Sequence, residues 1–72
     1  MNKNPTIGKL ITEFGNQVKL AKKVGVKQGT VTGWLNNRHG MREIYALKVE
    51  KLTNGKFKAA DLCPKLKELE SL

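Results

Sequence analysis

Three uncharged polar residues recur at every fourth position in the first half of the chain: Gln28, Thr32 and Asn36. A spacing of four places their side chains on one face of an α-helix. Carboxamide and hydroxyl groups both donate and accept hydrogen bonds, and Gln or Asn can pair with N6 and N7 of adenine. Lys27 precedes the set and has the reach for a guanine or a phosphate. The spacing therefore indicates a surface that recognises a partner by hydrogen bonding.

Two glycines, Gly29 and Gly33, lie on the same face, and each costs about 1 kcal/mol relative to Ala inside a helix. They add no side-chain contact, but they let a partner approach the backbone closely. Lys27 stands at the expected cap of this helix, where it caps poorly and puts positive charge against the positive end of the helix dipole. An anion at this position would remove that conflict.

The helix that precedes this surface begins and ends with clear signals. Residues 7–14 carry apolar side chains at the spacing of one helical face. Asn4 suits the N-cap and Pro5 the first turn, and Gly15 suits the left-handed residue after the last turn. A first helix over these residues supplies apolar area for a small core.

Residues 17–36 predict a helix-turn-helix. Asn16 can cap a helix that Gly25 ends after about two turns, and Ala21 is small where two helices would cross. A third helix then restarts within a few residues. Two short helices joined by a tight turn, with polar residues on the second, form the plan of this motif. Its buried contacts are expected from Leu20, Val24, Val26, Val31 and Trp34.

Two stretches resemble a known family. FGNQVKLAKKVGVKQGTVTGWLNN, at residues 14–37, resembles the Cro repressors of temperate phages and the similar YdaS-like bacterial regulators. VEKLTNGKFKAADLCP, at residues 49–64, resembles the YdaS-like pattern of a Glu-containing helix, a Thr-x-Gly turn and an Asp-Leu-x-Pro ending. The resemblance implies a small dimeric repressor of double-stranded operator DNA. Thr32 and Gly33 depart from the lambda-type pattern, so the operator sequence does not carry over.

On this interpretation the third helix reads bases in the major groove and its neighbours bind phosphate. The expected base-reading residues are Lys27, Gln28, Gly29, Thr32, Gly33 and Asn36. The expected phosphate contacts are Gln17, Lys19, Asn37, Arg38 and His39. Lys22 and Lys23 add to the positive field. Because one recognition helix reads only a few base pairs, we expect a homodimer, weak or induced by DNA.

Residues 41–58 fit two structures. Tyr45, Leu47 and Val49 alternate, and Asn54-Gly55 is a hairpin signal, which gives an α+β fold as in lambda-type Cro. The residues from Arg42 to Thr53 are also good helix formers, and Asn54-Gly55 would then end the helix. Propensity and the YdaS-like resemblance favour the helix. A fifth helix is expected over Ala59–Cys63.

Pro64 should end that fifth helix, and Leu66, Leu69 and Leu72 suggest a final helical turn or two, which is either a frayed tail or a dimer contact. The predicted fold is thus an all-α, five-helix domain over residues 1–72. Its helix-turn-helix lies at 17–36, and residues 41–72 close the core and provide a possible dimer region. Cys63 is interpreted as a small buried apolar residue.

Composition excludes several other classes. The chain has 72 residues and a net charge of +8, and residues 1–40 carry seven of the 14 basic residues but only Glu13 of the acids. This excess indicates a polyanion partner. One Cys and one His exclude a disulfide framework and a zinc site within the chain.

The scattered acids offer no catalytic pair, so we expect no enzyme, cofactor, metal or small-molecule ligand. No apolar run has the length of a membrane span and no signal peptide is recognisable, so we expect a protein of the bacterial cytoplasm. The alternative to a repressor is a YdaS-like autoregulator, an antitoxin-type protein or a protein-interaction adaptor.

Overall fold

Helix α1, Pro5–Phe14, begins at the predicted cap. Asn4 Oδ1 accepts hydrogen bonds from the N–H groups of Thr6 and Ile7 at 3.0 and 3.2 Å, and Pro5 opens the first turn. Gly15 ends the helix with φ 109° and donates its N–H to the carbonyl of Ile11. The computed structural model describes residues 3–70 of the chain.

Helices α2, Gln17–Val24, and α3, Gln28–Leu35, follow with short connections. Asn16 Oδ1 accepts the N–H of Lys19 at 2.9 Å and so caps α2 as predicted. The helix ends at Gly25, which adopts the left-handed conformation that favours glycine. Lys27 precedes α3 and makes no side-chain cap hydrogen bond.

Residues 1–39 form one compact unit. Helix α1 packs against α2 and α3, and α2 packs against α3. The N–H of Asn4 donates to the carbonyl of Leu35 at 2.7 Å, which ties the start of α1 to the end of α3. Val26 is half-buried. The buried apolar residues of this unit are Ile7, Leu10, Leu20, Ala21, Val24, Val31 and Trp34.

Residues 40–72 form a second compact unit, which begins with helix α4, Glu43–Leu52. The helical interpretation of residues 41–58 is confirmed, and the hairpin is not supported, since residues 3–70 contain no strand. Asn54 has φ 53° and donates its N–H to Lys51, while the N–H of Gly55 donates to Glu50 at 2.8 Å. These two bonds close α4 as a Schellman motif.

The all-α prediction is confirmed, and the described residues form six helices where five were counted from the sequence. Helix α5 is Ala59–Leu62, and Pro64 opens a further helix, α6, Pro64–Glu70. Proline lacks an N–H, which makes it a breaker inside a helix but acceptable in a first turn. Cys63 lies between the two helices with extended backbone and is buried, as predicted. Leu72 lies outside the described residues.

Glu50 links two helices of this second unit. Its Oε1 accepts the N–H of Ala59 at 2.6 Å, so a side chain of α4 caps the start of α5. Helix α4 packs against α5, and α5 packs against α6. Met41, Ala46, Val49, Ala59, Leu62 and Cys63 are buried. None of the helices within residues 3–70 has the length and hydropathy that crossing a bilayer requires.

Candidate nucleic-acid interface

The outer face of α3 is the surface to which the sequence assigns recognition. Lys27, Gln28 and Gly29 are exposed at its start, and Thr32 and Asn36 are half-buried one and two turns later. Val31 and Trp34 lie on the opposite face, at 0% and 2% exposure, so the helix has one apolar and one polar side. One line of α3 therefore carries Gln28, Thr32 and Asn36, while Lys27 stands at the cap before the helix and Gly29 lies one position to the side.

A hydrogen bond between α2 and α3 organises the middle of this face. Thr32 Oγ1 donates to Gln17 Oε1 at 2.6 Å, and its contact with the Gln28 carbonyl is longer, at 3.2 Å. A hydroxyl has one proton, so the shorter bond to Gln17 takes it. Towards a ligand Thr32 then offers its methyl group and a lone pair, and Gln17 offers its NH₂ donors.

Gln17 is thus a positioning residue as well as a candidate contact. It is the first residue of α2, half-buried, and its side chain reaches fifteen residues along the chain to the second turn of α3. The sequence pattern assigns Gln17 to phosphate and Thr32 to bases but does not reveal that they bind each other. The only sign of this hydrogen bond in the sequence is that two complementary polar residues lie on helices that must cross.

The N-terminus of α3 faces outwards without a compensating acid. No acidic residue lies in its first turn, and Lys27 at the cap position makes no cap bond. The N–H groups of a first turn lack intrahelical acceptors and carry the positive end of the dipole. This arrangement suits an external anion, as the position of Lys27 in the sequence suggests.

The C-terminal end of α3 closes as a second Schellman motif. Asn37 takes the left-handed conformation with φ 57° and donates its N–H to Trp34, and the N–H of Arg38 donates to the Gly33 carbonyl at 2.9 Å. Asn37, Arg38 and His39 are exposed after this turn. The turn thus places these three residues, all assigned to phosphate, directly beyond the end of the reading helix.

Gly33 differs from the open position that the sequence predicts. It is buried, because the chain folds back after Arg38 and lays the His39 imidazole against it. A Cβ built on Gly33 would overlap His39 Nε2 and would stand 2.9 Å from Cδ2 and from Cε1. The ring therefore occupies the place of a side chain at this position. Base reading through the Gly33 backbone would require His39 to move.

The lysines of α2 form the electrostatic flank of the motif. Lys19, Lys22 and Lys23 are exposed, and the last two lie in the final turn of α2, where cations are favourable. The aliphatic part of Lys19 also covers Gly15, since its Cδ would stand 3.1 Å from a Cβ built there. Within residues 3–70 no group of three or more His, Cys, Asp and Glu could hold a metal ion.

A double-mutant cycle tests the packing of His39 on Gly33. We expect Gly29→Ala to stabilise the protein by up to about 1 kcal/mol, since nothing lies within 4 Å of a Cβ at Gly29. Gly33→Ala should stabilise less, because the new methyl must displace the imidazole. The deficit should disappear in a His39→Ala background, as measured by urea unfolding followed by circular dichroism. Equal effects of Gly33→Ala in both backgrounds would contradict the packing.

The sequence of this chain is similar to a known protein family and to a phage protein. Residues 7–68 match the sequence model of a family described as "Bacterial toxin YdaS". The chain is also 49% identical over 55 residues to the regulatory protein Cro of Pseudomonas phage D3, covering 76% of this chain and 75% of that protein. That relative is named for regulation, a non-enzymatic function. No solved structure matches the chain significantly.

The family match runs through the helix-turn-helix and beyond it, since it covers 62 of the 72 positions. Both matches agree with the resemblance read from residues 14–37 and 49–64. The chain belongs to the family of Cro and YdaS-like phage regulatory proteins.

Proposed function

We propose that this chain is a transcriptional repressor that binds double-stranded operator DNA with α3 in the major groove. The observation that carries the proposal is the outer face of α3, which is polar, free of acids and joined to α2 by the Thr32–Gln17 hydrogen bond. An α-helix fits the major groove, where each base pair presents a distinct pattern of donors and acceptors. The name of the phage relative supports a regulatory role.

Base discrimination falls mainly to the start of α3. Gln28 is exposed and can bind adenine N6 and N7 together, a pairing worth about 1–3 kcal/mol of discrimination. Thr32 presents its methyl group to a thymine, since its proton is engaged with Gln17. Asn36 reaches a base edge or phosphate one turn further on. Gly29 leaves room for the backbone to come close, and Lys27 reaches a guanine or phosphate.

Phosphate binding surrounds this face on two sides. At the start of α2, Gln17 keeps two N–H donors for a phosphate oxygen while its carbonyl oxygen holds Thr32. Beyond α3, Asn37, Arg38 and His39 are exposed and follow the chain reversal. Lys19 adds charge beside Gln17. These contacts position the helix and carry the salt-dependent part of the affinity.

We propose that residues 1–72 act as one helix-turn-helix domain and that two copies bind one operator in the host cytoplasm. Two-fold pairing lets two recognition helices read half-sites about 34–36 Å apart. The first unit, residues 1–39, would contact DNA, and the second, residues 40–72, would be left for pairing. Such a protein needs neither cofactor nor small-molecule ligand.

The alternative is a YdaS-like autoregulator, an antitoxin-type protein or a protein-interaction adaptor on the same motif. The matching family is described as a bacterial toxin, and this description supports testing for an activity other than repression. Expression in a bacterial host separates the two readings. An effect on growth that survives Gln28→Ala and Arg38→Ala would point to an activity outside the α3 surface.

Selection of bound duplexes from a random pool tests the proposal directly. We expect a two-fold symmetric sequence to be enriched, because two identical recognition helices impose symmetry on the site. Random duplex should bind more weakly, and single-stranded oligonucleotide should not compete at equal concentration. Absence of enrichment, or preference for the single strand, would refute a sequence-specific repressor.

Replacement of Gln28 tests base reading. Gln28→Ala should reduce the preference for one base pair per half-site by about tenfold or more, because a bidentate pair is lost. The measurement is a set of dissociation constants for operators substituted at each position. Unchanged ratios between mutant and wild type would remove Gln28 from the reading residues. Arg38→Ala is the control, since it should lower every affinity and leave the ratios unchanged.

Replacement of Arg38 tests phosphate contact. Arg38→Ala should weaken binding to all duplexes and make the slope of log affinity against log salt shallower by about 0.9, the effect of one lost phosphate contact. Arg42→Ala is the matched control. Arg42 is the only other arginine in the sequence, and it is exposed at the start of α4. Equal changes in the two slopes would attribute the effect to net charge and not to a contact by Arg38.

A further inference from the structure

The outward face of α4 exposes large apolar side chains. Ile44 is 68% exposed and Leu47 is 56% exposed, three residues apart on the same face. Ala46 and Val49, on the opposite face, are buried at 0%. Leu52, at the end of the same helix, is 45% exposed. Lys48 is exposed on this side as well, four residues after Ile44, so apolar and basic side chains share the face. Exposed apolar side chains grouped on a helix are typical of an interaction surface.

The same face carries a groove at its C-terminal end. Leu47, Glu50, Lys51, Asn54 and Gly55 line it. At this end the chain leaves the helix through two residues with positive φ, Asn54 and Gly55, and the second has no side chain. The face therefore has a projecting apolar residue, Ile44, near one end and a recess near the other.

We propose that this α4 face, defined by Glu43, Ile44, Leu47, Lys51 and the groove, pairs two copies of this chain through a two-fold axis at Leu47. In an antiparallel pair with its axis at Leu47, Ile44 of each helix lies opposite Glu50 of the other, at the edge of the groove. The projecting Ile44 of each copy thus meets the groove of the other copy, and this contact occurs twice, as a two-fold interface requires.

Charge favours the same register. Glu43 lies four residues before Leu47 and Lys51 four residues after it, so the axis at Leu47 brings each carboxylate towards the ammonium group of the other copy. Glu43 lies only 4.0 Å from Lys65 of its own chain, and its side chain is still 46% exposed, so it can accept a second partner.

The distribution of charge also favours a second copy as the occupant. Residues 40–72 carry seven basic and five acidic residues, whereas residues 1–39 carry seven basic residues and Glu13 alone. Copies that meet through the second unit avoid direct contact between two strongly basic surfaces. This inference rests on the proposed function, which requires two copies, and it specifies where they meet.

Sedimentation of the full chain, alone and on the selected duplex, tests the pairing surface. Leu47→Lys should raise the dimer dissociation constant by about 100-fold, because two leucines lose their contact and two ammonium groups face each other at the axis. Leu69→Lys tests the competing surface, because Leu69 is 58% exposed on α6 and belongs to the dimer contact that the sequence suggests. It should leave the dissociation constant unchanged. Equal weakening by both variants, or a dimer that persists in Leu47→Lys, would overturn the proposal.

Charge exchange tests the register independently of apolar contact. Glu43→Lys and Lys51→Glu should each weaken the dimer, and the double variant should restore it, because the pair forms between copies with its polarity reversed. Additive weakening in the double variant would exclude this register. A wild-type chain that stays monomeric both free and on DNA would exclude the surface altogether.

The result separates this inference from the proposed function. Leu47→Lys lies outside the DNA surface, so it should still bind a half-site while losing the cooperative binding of a full palindrome. A variant chain that binds the palindrome cooperatively would refute the surface and leave the repressor proposal intact. Failure of the wild type to select any duplex would refute the repressor, whereas a Leu47-dependent dimer would still support this surface.

Discussion

The left-handed turn at Gly25 is the constraint on which the recognition surface depends. Only three residues separate Val24, the end of α2, from Gln28, the start of α3. Gly25 and Val26 both donate their N–H groups to the Ala21 carbonyl, at 2.8 and 2.9 Å, so the chain reverses at once. A residue with a Cβ would pay about 1–2 kcal/mol to adopt this backbone. The direction of α3 therefore follows from a single residue without a side chain.

Within the unit of residues 1–39, the residues that fill the core are separate from the polar residues on the outside. Apolar residues of α1, α2 and α3 fill its interior, and the Thr32–Gln17 bond fixes the orientation of the polar groups that remain outside. Positive charge lies on α2 and after α3, while the face between them is mostly uncharged. Attraction to a polyanion and discrimination among its sequences would thus depend on different residues and respond differently to salt.

Local signals made the first four helices predictable. Asn4 and Asn16 cap as expected, and Asn54-Gly55 ends α4, because each of these effects involves residues adjacent in sequence. Two features of the site were not predictable. The Thr32–Gln17 bond and the packing of His39 on Gly33 depend on how helices and turns meet in space. The sixth helix was not counted from the sequence, because Pro64, the proline expected to stop α5, also begins α6.

The burial of two particular residues makes the two units separately observable. Trp34, the only tryptophan, is 2% exposed within residues 1–39, and Cys63, the only cysteine, is 2% exposed within residues 40–72. Indole fluorescence therefore reports the opening of the first unit, and reaction with a thiol reagent reports the opening of the second. The unmodified chain thus contains two independent probes. If the two unfolding transitions that they report have the same midpoint in denaturant, both units unfold cooperatively.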